Sequence, residues 1–240
     1  MCLCIFACFL FNRTVFKMSG QSKVRSISFE LVDKRVYVPL LVMVLVALYL
    51  VKLLNGFYLP VLEHRPGISI NDPLLDWLPP VDCSWPIFIL LYGSLVYGLI
   101  SLVRFPVVFL QLLFAFAFMY LVRFLCIFFV PLAEPKDLIP LYDPVLESLF
   151  FQATILKRDL FFSGHFASMF LLFLSMKPRP MKIVYFFLAI ALAIMILFQH
   201  VHYSYDIVGA ALFSWISYIL AQKFIFAFYS KLVQKEQLES

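Results

Sequence analysis

Six apolar stretches, each near the length that crosses a bilayer, constrain this chain more than any other feature. They run from about Val36 to Leu59, Trp85 to Val103, Phe105 to Pro131, Phe161 to Met176, Met181 to Gln199 and Tyr205 to Phe228. A hydrocarbon core of roughly 30 Å needs about 20 apolar residues in a helix, and only helices or closed barrels satisfy their backbone polar groups inside it. The stretches are continuous, unlike the alternating segments of about 10 residues in a barrel. The expected fold is all-α, a polytopic membrane protein with six transmembrane helices. A water-soluble globule is excluded, since 64% of residues are hydrophobic, 14% are charged and the mean hydropathy is +0.97. Phe105 to Pro131 is long and Phe161 to Met176 short. The short stretch predicts a helix that begins earlier or starts below the surface, with the apolar piece Val145 to Leu156 lying at the interface.

Lys and Arg set the orientation. With the N-terminus in the cytosol, cytosolic segments hold 13 of the 19 basic residues, and the opposite side holds four: Arg65, Lys136, Lys157 and Arg158. Six spans put both termini in the cytosol. The chain then reads as a cytosolic segment over 1–35, a six-span catalytic domain over 36–229 and a cytosolic tail over 230–240. The net charge of +5 is topological: the basic residues collect beside spans and form no stripe of a nucleic-acid interface.

Residues 1–11 are apolar but too short to span. Their cysteines Cys2, Cys4 and Cys8 could carry a lipid anchor, but the polar run from Met18 is the more ordinary cytosolic beginning, and Met18 is the expected start. Cys83 and Cys126 stand alone, so neither a disulfide framework nor a zinc knuckle is indicated.

Two polar islands interrupt the apolar sequence: Arg158-Asp159-Leu160-Phe161-Phe162-Ser163-Gly164-His165, and His200-Val201-His202-Tyr203-Ser204-Tyr205-Asp206. Ionisable groups beside spans are costly and are kept for a job. His202 and Asp206 are spaced i, i+4, so on a helix the carboxylate orients the imidazole and leaves its other nitrogen free to attack. His165 follows Ser163-Gly164 at an expected helix start, where unpaired N–H groups favour an anion such as phosphate. Arg123 lies inside a span and needs a partner: a phosphate, Asp159 or Glu134. His64 and His200 read as interfacial polar residues.

The islands resemble the sphingomyelin synthase-like branch of the lipid phosphate phosphatase superfamily. Asp159 with Phe162-Ser163-Gly164-His165 is similar to its C-G-D-x-x-F-S-G-H, with Lys157-Arg158 in place of Cys-Gly. The second island is similar to its H-x-H-Y-T-x-D, with Ser204 for Thr. Tyr120, Arg123 and Pro131 resemble its third-span Y-x-x-R segment, with Cys126 where Thr is usual, and Asp72-Pro73-Leu74-Leu75-Asp76 loosely resembles its proline-acid motif. Plant phosphatidylcholine:diacylglycerol cholinephosphotransferases share the histidine cores. The phosphatases' K-x6-R-P is absent, and Ile196 stands in their Arg slot before His202.

The resemblance implies an enzyme that moves a phospho-headgroup from a phospholipid donor to ceramide or diacylglycerol, without cofactor or metal. His202 would be the nucleophile, Asp206 its orienting acid and His165 the general acid/base. Arg123, Asp159, Ser163, Gly164, Arg158 and Tyr203 would bind substrate, with Lys157 beside them. A hydrolase using water, a metal enzyme ligated by the two histidines and the carboxylate, and a non-catalytic lipid carrier are the alternatives. The active site is expected on the non-cytosolic face: of the Golgi, endoplasmic reticulum or plasma membrane in a eukaryote, of the inner membrane in a bacterium.

Overall fold

Proline decides where several of the helices start and stop. In the computed structural model, which describes residues 34–63, 65–141 and 159–239, the helices are α1 (Lys34–Glu63), α2 (Pro73–Trp77), α3 (Ser84–Leu102), α4 (Pro106–Phe129), α5 (Gly164–Ser175), α6 (Arg179–Phe198) and α7 (Ser204–Glu239). Pro73 and Pro106 open α2 and α4, where the missing N–H has no helical partner to lose. Val130, before Pro131, is driven out of helical geometry and ends α4, so the long apolar stretch yields a helix of 24 residues.

The described residues contain no strand; one isolated parallel bridge pairs Ile68 with Leu132. Four helical segments are long and apolar enough to cross a membrane: α3, α4, α6 and Ser204–Phe228 of α7. This is an all-helical integral membrane protein. The other two expected stretches carry α1, apolar over Leu41–Leu50, and the shorter α5. The start at Met18, the three N-terminal cysteines, His64, Val145 to Leu156, Lys157 and Arg158 lie outside the described residues.

Helix α5 is the axis of the bundle. It packs on α3, α4, α6 and α7, and every residue from Phe166 to Ser175 is buried. A helix apolar on all sides belongs in an interior. It does not begin earlier than its apolar run: Ser163 caps it, with its Oγ accepting from Phe166 N at 3.4 Å. Twelve residues rise about 18 Å, well short of a bilayer core. At Gly98 three helices meet so closely that a Cβ would lie 2.9 Å from both Leu172 Cδ2 and Tyr185 Oη. The Tyr185 hydroxyl donates there to Ser94 O at 2.6 Å.

The end of α4 is tied to the loop that follows α1. Arg65 donates to the carbonyls of Ile127 and Phe128, capping the negative end of the helix with a cation. Ile68 N donates to Pro131 O at 2.8 Å, and Ala133 N to Ile68 O at 3.0 Å. Gly67 permits this approach, because a Cβ there would lie 2.5 Å from the Leu132–Ala133 backbone.

Candidate active site

The second island forms the turn between α6 and α7. His202 and Asp206 are both buried, and Nδ1 of His202 faces Oδ2 of Asp206 at 3.1 Å. The carboxylate can only accept, so Nδ1 carries the proton and Nε2 is the nitrogen left with a lone pair. The same oxygen accepts from Tyr203 N at 3.1 Å, while Asp206 N donates to Tyr203 O at 3.0 Å. The pair is therefore locked to the first turn of α7. Tyr203 is buried and its hydroxyl donates to Ala133 O at 3.1 Å.

The first island is organised by Arg123, buried on α4. Its Nη2 lies 2.7 Å from Asp159 Oδ2, and its Nε donates to Phe162 O at 2.9 Å. Of the partners expected for Arg123, Asp159 is the one in place. Gly164 lets the guanidinium lie against the start of α5, since a Cβ there would meet Arg123 Nε at 3.1 Å and Cζ at 3.3 Å. His165 follows in the first turn, half-buried, its ring edge-on to Phe88 with centroids 6.1 Å apart.

The two islands meet through their backbones. Ser163 N points at Asp206 O at 3.5 Å, a long hydrogen bond. A Cβ on Gly209 would lie 3.5 Å from Phe161 and Phe162, and the Phe162 ring stacks on Phe213 at 5.2 Å. Further along, Ser214 Oγ donates to Ala167 O at 3.4 Å. The starts of α5 and α7 thus run side by side, with His165 in the first turn of one and the His202–Asp206 pair at the start of the other. Oδ1 of Asp159 and Oδ1 of Asp206 are buried without a hydrogen-bond partner among the described residues.

Three polar residues brace the loops above this region. Gln199, fully buried, accepts from Cys83 N and donates to Ser84 Oγ at 3.0 Å and Ile139 O at 3.3 Å. His200 has a backbone carbonyl at each ring nitrogen: Lys136 O at 3.0 Å from Nδ1 and Leu78 O at 3.1 Å from Nε2. Its φ of 56° is unusual for a non-glycine residue, and the two ring contacts oppose any relaxation. Asp72, buried, bonds Ser204. The Ser84 hydroxyl, and after it the Ser84 N–H, hold the Asp82 carboxyl below the usual carboxylate range, while burial and then the Asp82 charge push the Cys83 thiol up. A cleft of about 200 Å³ opens beside the turn, lined by Asp72, Asp76, Lys136, His200 and Tyr203 among others.

Sequence reasoning missed the roles of Gln199 and Asp72 because their partners lie 116 and 132 residues away. Besides the loose proline-acid resemblance, a local signal was present: Asp72 before Pro73 is a helix-capping pair. Among the described residues no group of three or more His, Cys, Asp and Glu side chains is placed to hold a metal ion.

Fold and site together define an integral membrane protein with a buried His–Asp pair at the start of a membrane-spanning helix. A family model described as PAP2 superfamily C-terminal matches residues 158–223, a stretch that takes in both islands. The match supports placing the chain in the lipid phosphate phosphatase superfamily and points to lipid phosphatase or phosphotransferase activity. No curated protein matches the chain.

Proposed function

We propose that this protein is a phospho-headgroup transferase of the sphingomyelin synthase type, with six spans, both termini in the cytosol and the site on the non-cytosolic face. The observation that supports the reading is the buried His202–Asp206 pair, whose geometry suits Nε2 of His202 to the part of nucleophile. In the first half-reaction Nε2 attacks phosphorus of the phospholipid, the bond from phosphorus to the glycerol oxygen breaks, and His165 protonates that oxygen to release diacylglycerol. In the second, His165 takes the proton of the acceptor hydroxyl, its oxygen attacks phosphorus, and the P–N bond breaks. Asp206 stabilises the charge that develops on the His202 ring.

Arg123, fixed by Asp159, places a positive charge beside the start of α5, where the phosphate would lie against Ser163 and Gly164. Arg158 and Lys157 are assigned to the same phosphate, and Tyr203 to the wall of the adjoining cleft. The buried, apolar Ile196 occupies the slot that holds Arg in the phosphatases, which favours transfer over hydrolysis. Ceramide and diacylglycerol are the acceptors proposed, and phosphatidylcholine or phosphatidylethanolamine the donors.

The test is incubation of the purified protein with headgroup-labelled phospholipid, with and without ceramide or diacylglycerol. Label should move into a new lipid only when acceptor is present. Release of water-soluble label at the same rate in both arms would make the protein a hydrolase, and inertness in both would leave a non-catalytic lipid binder.

A further inference from the structure

Asp72 lies in the loop between α1 and α3, outside the stretch matched by the family model, and no step of the reaction proposed above uses it. Its carboxylate is 4% exposed and accepts four hydrogen bonds. Oδ1 accepts from Leu74 N at 3.1 Å and Leu75 N at 3.3 Å, which caps α2, and from Ser204 Oγ at 2.9 Å. Oδ2 accepts from Ser204 N at 2.6 Å. Among the described residues no Lys or Arg forms an ion pair with it. A buried carboxylate of this kind is stabilised by the N–H groups it accepts from and by the positive ends of the helices it caps.

What Asp72 grips decides its consequence. Ser204 opens α7 and sits midway between His202 and Asp206. A free helix start leaves several N–H groups without partners and frays. Here Asp72 takes the Ser204 N–H, and Tyr203 O takes the Asp206 N–H. The Ser204 hydroxyl donates to Asp72 as well, so both donors of this residue are held by one carboxylate. The bonds that join Asp206 Oδ2 to Tyr203 N and to His202 Nδ1 exist only while this turn keeps its geometry.

We propose that Asp72 is a positioning residue: its carboxylate clamps Ser204 from across the molecule and so fixes the turn in which Asp206 meets His202. The inference rests on the transfer reaction proposed above. Asp72 is hydrogen-bonded to neither nitrogen of His202, so removing it acts on the nucleophile through the turn and not through a direct contact. A misplacement on the order of 1 Å costs about 100-fold in rate.

The experiment uses the full chain in lipid nanodiscs, with fluorescent phosphatidylcholine as donor and diacylglycerol as acceptor, and compares wild type with Asp72→Ala, Ser204→Ala, Ser204→Thr and His202→Ala. Asp72→Ala should lower kcat by roughly 10- to 100-fold with KM within about threefold of wild type. Ser204→Ala should lower kcat less, Ser204→Thr should restore it by keeping the hydroxyl, and Ser204→Ala should add little on top of Asp72→Ala because the two residues act as one unit. Wild-type kcat in Asp72→Ala, or equal kcat in Ser204→Ala and Ser204→Thr, would overturn the clamp; the second comparison stands even where Asp72→Ala does not fold. A second readout is independent of turnover: the low-field proton resonance of the His202 N–H held by Asp206, assigned by its loss in His202→Ala, should vanish in Asp72→Ala. Persistence of that resonance sinks the clamp. If wild type transfers nothing, or His202→Ala still transfers, the proposed reaction fails, and the resonance alone then decides the fate of the clamp.

Discussion

Nδ1 of His202 lies 3.1 Å from Oδ2 of Asp206, and both side chains are buried at the start of α7. A buried carboxylate in this place does more than hold a ring. In the proposed reaction it fixes which nitrogen carries the proton and offsets the charge that the ring would acquire when the other nitrogen forms a bond. Asp206→Asn keeps the shape but reverses the tautomer, so turnover should fall on the order of 10³- to 10⁴-fold while the melting temperature stays near that of wild type. A loss of less than tenfold, measured under saturating donor lipid, would remove Asp206 from the mechanism.

The Arg123–Asp159 pair, at 2.7 Å, should be structural as well as catalytic. Arg123→Ala leaves the Asp159 carboxylate and the Phe162 carbonyl without their donor, at a cost on the order of 3 kcal/mol. A lowered unfolding midpoint in detergent would report it. Gly164→Ala is the cleaner probe. Its Cβ would press on Arg123 Nε from 3.1 Å, so the guanidinium must shift by a few tenths of an ångström. The variant should fold normally and lose activity; unchanged activity would show that the placement of Arg123 is not critical.

Legibility in the sequence followed the range of the interaction. The helical class and the positions of α3, α4, α6 and α7 could be read because apolar length is a local property; the His202–Asp206 pair was legible from its spacing, although His202 lies in the turn before α7 and not on a helix as expected. Arg123 was seen to need a partner, and Asp159 was among those expected, since a charge inside a span advertises its own cost. The apolar stretch overran the end of α4, reaching Pro131 where the helix stops at Phe129. Opaque to the sequence were contacts made by loops: Gln199 bracing the start of α3, the two carbonyls around His200, and Asp72 on Ser204. Each joins a common polar residue to a backbone group more than 60 residues away, and nothing in residue type or spacing marks such a bond.

The loop brace can be tested through Gln199 and Asp82. Gln199→Leu keeps the volume but strands the half-buried Cys83 N–H, at a cost on the order of 1 kcal/mol. Its unfolding midpoint should drop, while His202 chemistry persists at low temperature. Asp82 adds a pH signature. Its carboxyl is held below the ordinary range chiefly by the Ser84 hydroxyl, so its contribution is complete above the unfolded carboxylate pKa and is lost as pH falls through the depressed folded value. Wild type and Asp82→Asn should differ in midpoint at neutral pH and converge in acid. A difference that persists at low pH would assign the effect to something other than the Asp82 charge.

The proposed topology rests on the 13 basic residues assigned to one side against four on the other. A glycosylation acceptor inserted between Pro60 and Ser84 should be modified in a eukaryotic host, and one between Lys177 and Met181 should not. The reverse pattern would move the site to the cytosolic face.

The division of labour between the histidines can be separated by the leaving group. Proton transfer by a positioned side chain is worth roughly 10²- to 10⁴-fold, but only where the departing oxygen needs a proton. Diacylglycerol leaves as a strongly basic alkoxide unless His165 protonates it, whereas nitrophenolate leaves unaided. With a nitrophenyl phosphodiester donor, His165→Ala should still form a phosphohistidine at His202 and then stall, because no base remains to deprotonate the acceptor hydroxyl. His202→Ala should never label. With the natural phospholipid both variants should be impaired, His165→Ala in both half-reactions and His202→Ala completely. Label found on His165 in the His202→Ala protein would exchange the two roles. The half-buried position of His165 in the first turn of α5 would then mark the nucleophile, and the His202–Asp206 pair the acid/base.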